Sequence, residues 1–159
     1  MLKMLLSVWE NIRETIGTLP PEQGGILGGT FDTVTKFYFD SDAKSDSAHY
    51  YPCAKQLNFV LEDWHQAGTQ FLGIIHSHQY GDMRLSAQDI AVAREIINRN
   101  SAICDHLFFP IVSSEFDSNA FTGMVYRISS DSIDKEMLYI IKDKQEEKNY
   151  GTTRAERNH

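Results

Sequence analysis

From the stretch Gly73–His78, which reads GIIHSH, both the fold and the function of this chain can be predicted. The largely apolar run at 71–75 is rich in β-favouring residues and predicts a buried strand. Side chains at i and i+2 of an extended chain project to the same side, so His76 and His78 can present imidazole nitrogens to one point. Ser77 lies between them and faces away. The spacing therefore predicts a two-histidine clamp at the exit of a strand.

A helix is predicted shortly after the clamp. Its apolar residues recur at helical spacing behind Ser86, and they are Ile90, Ala93 and Ile97. Asp89 then lies in the first helical turn, from which its carboxylate can reach back to the end of the strand. Two neutral imidazoles and one carboxylate are the ligand set of a catalytic zinc that keeps its fourth position for water.

Each part of this pattern also has a purely structural interpretation. Ser86 and Asp89 form a Ser-x-x-Asp capping pattern, which by itself indicates only the start of a helix. A single His-x-His pair at a strand end is often no more than a hydrogen-bonded surface group. The metal-site interpretation gains weight because both histidines, the serine and the aspartate occur in one strand-loop-helix unit.

The complete pattern resembles the metal-binding signature of the JAMM (MPN+/JAB) zinc isopeptidases, down to the seven residues between the second histidine and the serine. That family also has a glutamate before a Gly-Gly-hydrophobic-hydrophobic-Gly strand, and Pro21–Gly28, which reads PEQGGILG, is similar to this element. The resemblance covers roughly residues 1–130 and is strongest to bacterial single-domain JAB proteins. The chain departs from the family at Gln79, where a proline is common, and this bears on the loop and not on the ligand set.

The resemblance implies a zinc-dependent hydrolysis. His76, His78 and Asp89 would hold Zn²⁺, which lowers the pKa of its water to about 7. Glu22 is the candidate general base and then general acid. Ser86 would stabilise the oxyanion of the tetrahedral intermediate with its hydroxyl group.

The implied substrate is a ubiquitin-like protein, cleaved at an amide or isopeptide bond after its C-terminal glycine. The reaction would be deconjugation or precursor processing. The expected partners are that protein or its conjugates, together with ubiquitin-like activating or conjugating enzymes.

Two alternatives stay open, and a third is disfavoured. Relatives of this fold that lose the metal serve as non-catalytic scaffolds, and a related hydrolase could act on a small peptide or a sulfur-carrier adduct. A zinc nucleotide deaminase needs His-x-Glu and Pro-Cys-x-x-Cys elements, and the sequence has neither. The other histidines lack ligand spacing and are expected to face solvent or to form ordinary hydrogen bonds, namely His49, His65, His106 and His159.

The implied fold is α/β (α+β), with helices flanking a central mixed β-sheet in an arrangement similar to the cytidine-deaminase-like architecture. Periodicity predicts further helices at 5–16 and 53–67. Strands are predicted at 24–29, 33–39, 107–113 and 121–128. A polar surface loop is predicted at 40–52, whereas the short apolar run at 136–142 fits either a strand or a helix.

Length and charge limit the remaining possibilities. The chain has 159 residues, which fits one domain over 1–142 followed by a polar, flexible tail over 143–159. A net charge of -7 without clustered Lys and Arg argues against nucleic-acid binding.

The two cysteines lie far apart, so neither a disulfide framework nor a cysteine zinc site is indicated. Charged residues interrupt the apolar residues of 1–16, so we expect no membrane span and a cytoplasmic protein.

Overall fold

Ten strands and three helices occur in the part of the chain that the computed structural model describes, residues 1–16, 22–45, 50–78, 82–114 and 121–144. The helices are α1 (Leu6–Thr15), α2 (Ala54–Gln66) and α3 (Ala87–Arg99). The strands are β1 (Leu2–Leu5), β2 (Gly24–Thr30), β3 (Thr33–Phe39), β4 (Lys44–Ser45), β5 (Tyr50–Tyr51), β6 (Gln70–Ser77), β7 (His106–Ser114), β8 (Phe121–Ser129), β9 (Ile133–Glu136) and β10 (Leu138–Ile141). None of the described helices is long and apolar enough to cross a membrane.

Eight of these strands form one mixed sheet in the order β10-β1-β3-β2-β6-β7-β8-β9. The pairs β1/β10, β1/β3 and β6/β7 are parallel, and the other neighbours are antiparallel. The two strands at opposite ends of this order, β9 and β10, are separated in the chain by Met137 alone. The sheet therefore curves until its two edges come close together.

Alternating side chains divide the interior into two cores, one on each face of the sheet. Within β6, Ile75 packs in the core that contains α1, and Ile74 packs in the core that contains α2 and α3. The core around α1 also includes Val8, Ile12, Leu27 and Val112. The opposite core also includes Leu57, Ala93, Ile97 and Ile111. The predicted class, a mixed sheet flanked by helices, is confirmed.

The start of the chain contains a strand that was not predicted. The helix expected at 5–16 is present as α1, which begins at Leu6, and β1 directly precedes it. Leu2 and Met4 are fully buried and alternate with half-buried neighbours, which is the two-residue period of a strand. A run of four residues is too short for this period to be recognised from the sequence, so the strand was not predicted.

The N-terminus of α1 has no cap from its own sequence, since Leu5 precedes it and offers no side-chain acceptor. Asp143 supplies one instead. Its carboxylate accepts hydrogen bonds from the backbone N–H of Ser7 at 3.0 Å and from the Ser7 hydroxyl. These bonds lower the pKa of Asp143 and place a negative charge at the positive end of the helix dipole.

The segment predicted as a solvated loop at 40–52 is also corrected. It contains the short β4–β5 pair, and Asp40 at its start is only 3% exposed. Burial is possible because Asp40 accepts hydrogen bonds from Tyr50 and from the backbone of Cys53.

The other element predictions agree with the structure. The run at 136–142, which fitted either class, belongs to strands β9 and β10. Gln79, the site of the departure from the family pattern, lies outside the described residues, as do 46–49 and 145–159.

Glycine permits the closest backbone approach in the sheet. A Cβ atom built on Gly73 of β6 would lie 1.8 Å from the carbonyl oxygen of Phe108 in β7. On Gly29 of β2 it would lie 1.9 Å from the carbonyl oxygen of Thr33. Both obstacles are backbone atoms, which cannot rotate aside. The strand predicted at 24–29 is therefore present as β2, and its glycines allow close backbone packing.

We expect Gly73→Ala to lower the free energy of unfolding by about 1–3 kcal/mol, because β6 and β7 must move apart to admit the methyl group. Urea denaturation of the metal-free protein measures the change. Gly123→Ala in β8 is the matched control, since its Cβ would meet nothing closer than 3.5 Å. Equal stability of the two variants would show that the strands have room at Gly73.

Candidate metal centre

Strand β6 positions the two histidines because it is paired on both edges. His76 lies opposite Gly24 of β2 and opposite Ile111 of β7. The backbone N–H of His78 donates to the carbonyl oxygen of Val112 at 2.9 Å, which extends the pairing past the end of the strand. His76 is 1% exposed and His78 is 9% exposed. The sheet therefore fixes the backbone of both residues in a buried setting.

The two imidazole rings converge as the alternation of the strand predicts. Their Nε2 atoms are 2.7 Å apart, a distance at which a single proton joins the two rings. The Nδ1 atom of His78 lies 2.9 Å from the carbonyl oxygen of Asp82, so it carries a proton and donates it. In its neutral form, His78 therefore turns an unprotonated Nε2 towards His76, which is the form that binds a metal.

Asp89 reaches the histidines from the first turn of α3. Its Oδ1 lies 3.4 Å from Nε2 of His76, and its Oδ2 lies 3.6 Å from Nε2 of His78. Burial alone raises the pKa of this carboxyl, but its interactions with both histidines and with the backbone of Ser86 outweigh burial. The pKa of Asp89 is therefore well below its ordinary value, and the side chain is a carboxylate.

The capping pattern at Ser86 is present as well. The Ser86 hydroxyl accepts from the backbone N–H of Asp89 at 3.0 Å, and the Asp89 carboxylate accepts from the backbone N–H of Ser86 at 2.9 Å. The structural and the functional interpretations of this pattern are thus compatible. The same bonds that start the helix hold Asp89 against the histidines.

Glu22, which lies just before β2, also belongs to this group. It is 8% exposed, and one carboxylate oxygen lies with the ring nitrogens of His76 and His78 in a group whose atoms are all within 4.8 Å of one another. Ser77 and Gln23 hold this segment in place. The backbone N–H of Gln23 donates to the Ser77 hydroxyl at 3.0 Å, and the backbone N–H of Ser77 donates to the Gln23 carbonyl at 2.8 Å.

The two histidines differ in their electrostatic environments. Complete burial is the main influence on His76, and it lowers the pKa of that imidazole. Burial also acts to lower the pKa of His78, but Asp89, Glu22 and the Asp82 carbonyl overcome it and raise the pKa. Two imidazoles between two carboxyl groups form a donor set that suits a divalent cation such as zinc.

Two side chains beside His76 were not identified from the sequence. Tyr50 stacks on the His76 ring with centroids 6.0 Å apart and an interplanar angle of 15°. Phe109 approaches the same ring edge-on, with centroids 5.1 Å apart at 77°. Tyr50 belongs to the segment that was predicted to be a solvated loop. Two consecutive aromatic residues, Tyr50 and Tyr51, are unusual in such a loop, and this was the sequence signal that part of the segment is packed.

The remaining histidines contribute nothing to this group where the structure describes them. His65 is exposed on α2. His106 pairs with the exposed Asp105 at 2.6 Å and packs edge-on against Phe108. His49 and His159 lie outside the described residues.

Comparison with known proteins agrees with this fold. The family model for prokaryotic homologues of the JAB domain matches residues 7–145. The chain therefore belongs to this family, and the predicted relationship to bacterial JAB proteins is confirmed. No curated protein shows a significant sequence match to the chain.

Solved structures with the same fold cover nearly the whole chain. Protein DSY2949 from Desulfitobacterium hafniense superposes with a TM-score of 0.71 at 21% identity, over 91% of this chain and 96% of that one. AF2198, a JAB1/MPN domain protein from Archaeoglobus fulgidus, gives 0.53 at 17% identity, over 89% and 97%. A JAMM structure, described as a metalloprotease-like zinc site in the proteasome and signalosome, gives 0.52 at 16% identity, over 89% and 98%. At these identities the similarity is one of fold.

We expect Ser86→Ala to lower the free energy of unfolding of the metal-free protein by about 1 kcal/mol, because α3 loses its N-cap. Urea denaturation followed by circular dichroism measures this change. Ser101→Ala, at an exposed serine beyond the end of α3, is the control and should alter stability by less than about 0.5 kcal/mol. Indistinguishable midpoints for the two variants would contradict the stabilising role of the cap.

Proposed function

We propose that this protein is a zinc-dependent hydrolase of amide or isopeptide bonds that cleaves after the C-terminal glycine of a ubiquitin-like protein. The observation that carries the proposal is the convergence of Glu22, His76 and His78, with ligand atoms all within 4.8 Å, beside a carboxylate of Asp89. Membership of the JAB family supports the proposal, and one solved structure of the same fold is described as a metalloprotease-like zinc site.

His76, His78 and Asp89 are the residues that would hold the ion. The Asp89 oxygens lie 3.4 Å and 3.6 Å from the Nε2 atoms of His76 and His78, and the two Nε2 atoms lie 2.7 Å apart, so the three side chains converge on one point. His78 meets a further requirement, since a ligating histidine ordinarily donates its second N–H to an acceptor, here the Asp82 carbonyl. When bound, zinc supplies a Lewis acid that activates water and polarises the scissile carbonyl.

Glu22 is the proposed proton carrier. Its carboxylate accepts a proton from the attacking water and delivers it to the departing amine, so one group serves as base and then as acid. The Gln23–Ser77 hydrogen bonds fix the backbone beside Glu22, which keeps the carboxylate next to the histidines while the proton is transferred. Its low exposure shields this transfer from bulk water.

Ser86 is the proposed donor to the oxyanion. Its oxygen accepts the N–H of Asp89, so the hydroxyl hydrogen remains available to donate. A donor fixed by a helix cap needs little reorganisation when negative charge develops on the substrate oxygen. The residue thus combines stabilisation of α3 with stabilisation of the tetrahedral intermediate.

The substrate assignment rests on the resemblance of the whole site pattern to the JAMM isopeptidases. We place the reaction in the cytoplasm, with a ubiquitin-like protein or its conjugates as substrate and activating or conjugating enzymes as further partners. A glycine at the cleavage point suits a narrow approach to the metal because it carries no side chain.

We expect Glu22→Gln to bind zinc like the wild type and to cleave a ubiquitin-like protein extended beyond its C-terminal glycine at least about 100-fold more slowly. The loss follows because the amide cannot accept the proton. Elemental analysis gives the zinc content, and mass spectrometry of the products gives the rate and the cleaved bond.

The controls separate metal binding from proton transfer. His78→Ala should lose both zinc and activity, whereas His65→Ala, at an exposed histidine on α2, should keep both. Stable capture of an uncleaved partner by zinc-loaded wild-type protein would instead support a non-catalytic scaffold. Cleavage confined to short peptides or sulfur-carrier adducts would overturn the substrate assignment while leaving the hydrolase in place.

A further inference from the structure

The two histidines of the candidate metal centre are held in different ways. The Nδ1 atom of His78 bonds the Asp82 carbonyl, which fixes the orientation of that ring. The Nδ1 atom of His76 is buried and has no hydrogen-bond partner among the described residues. Nε2 of His76 is held by His78 and Asp89, whereas on the Nδ1 side the ring is in contact with two aromatic side chains, Tyr50 and Phe109.

Tyr50 reaches His76 through a gap in the sheet. Asp40, which directly follows β3, lies in one row with Gly24 of β2 and His76 of β6, because the Asp40 N–H donates to the Gly24 carbonyl and Gly24 pairs with His76. Residues in such a row share a face of the sheet. Gly24, in the middle, has no side chain, and a Cβ there would lie 2.8 Å from Cζ of Tyr50. The phenol ring thus occupies the space above Gly24, between Asp40 and His76.

Asp40 anchors the ring in that space. Its Oδ2 accepts from the Tyr50 hydroxyl at 2.9 Å and from the backbone N–H of Cys53 at 2.9 Å. Burial, followed by the negative charge of Asp40, raises the pKa of Tyr50 far above its ordinary value, so the hydroxyl stays protonated and donates. Cys53 directly precedes α2, so the same carboxylate connects the tyrosine to the start of that helix.

We infer that Asp40 and Tyr50 are positioning residues for the metal centre, because Asp40 holds the phenol ring of Tyr50 and that ring, stacked on the His76 imidazole, holds the imidazole in place. The inference rests on the proposed role of His76 as a metal ligand. Rotation of this ring would move Nε2 away from His78 and Asp89. Phe109 limits the rotation from one side, and the anchored phenol ring limits it from the other.

The effect should appear in metal affinity, because groups that orient a ligating histidine typically contribute 10- to 100-fold to metal binding. We expect Tyr50→Leu, which removes the stacked ring, to weaken zinc binding by about ten-fold or more. Tyr50→Phe keeps the ring and loses only the bond to Asp40, so it should show a smaller loss in the same direction. Competition with a chelating dye, starting from metal-free protein, measures both affinities without an activity assay.

The visible absorption spectrum of cobalt-loaded protein provides a second measurement. Its bands report the geometry of the ligands, so they should shift in Tyr50→Leu and shift less in Tyr50→Phe. Tyr38→Phe is the matched control, since Tyr38 also lies on this face of the sheet and accepts a side-chain hydrogen bond, from Gln56 at 3.0 Å. That variant should keep the affinity and the spectrum of the wild type.

The outcomes separate this inference from the function on which it rests. Wild-type affinity and an unchanged cobalt spectrum in both Tyr50 variants would overturn the positioning role alone. If Tyr50→Leu does not fold, Tyr50→Phe decides, and an unaltered affinity and spectrum in that variant would overturn the role equally. Failure of the wild-type protein itself to bind zinc or cobalt would overturn the proposed metal centre and the inference with it.

Discussion

The convergence of the His76 and His78 imidazoles is the interaction on which the rest of the site depends. Two nitrogens meet at 2.7 Å in a buried location only because β6 is paired to β2 on one edge and to β7 on the other. Each neighbouring strand also contributes to the centre. β2 brings Glu22 to the histidines, and Val112 of β7 continues the pairing to His78. The sheet is therefore part of the site and does more than support it.

Two cores stabilise this arrangement from opposite faces of the sheet. The core around α1 lies on one face of the sheet, while α2 and α3 cover the face from which the histidines project. Helix α3 has two tasks, since Ala93 and Ile97 pack into the core and its first turn carries Asp89 to the histidines. Any movement of this helix would change the distance between the carboxylate and the rings, so packing and ligand geometry are linked.

How much the sequence could predict depended on the range of each interaction. The convergence of His76 and His78 follows from the two-residue period of a strand, and the contact between Ser86 and Asp89 follows from the first turn of a helix. Both features are local in sequence, so both could be predicted. Glu22 lies 54 residues before His76, and only the family resemblance connected the two. The burial of Asp40 could not be predicted, because it depends on Tyr50 filling the space above Gly24. The first strand was not predicted, because an alternation of only four residues gives too weak a signal.

The zinc K-edge X-ray absorption spectrum of the loaded protein shows whether His76, His78 and Asp89 together hold zinc. If they do, the ion should have only nitrogen and oxygen neighbours at about 2.0–2.1 Å, with the multiple scattering of two imidazole rings. A sulfur neighbour at about 2.3 Å, from Cys53 or Cys104, or fewer than two imidazoles in the wild-type protein, would show that these three side chains do not form the zinc site.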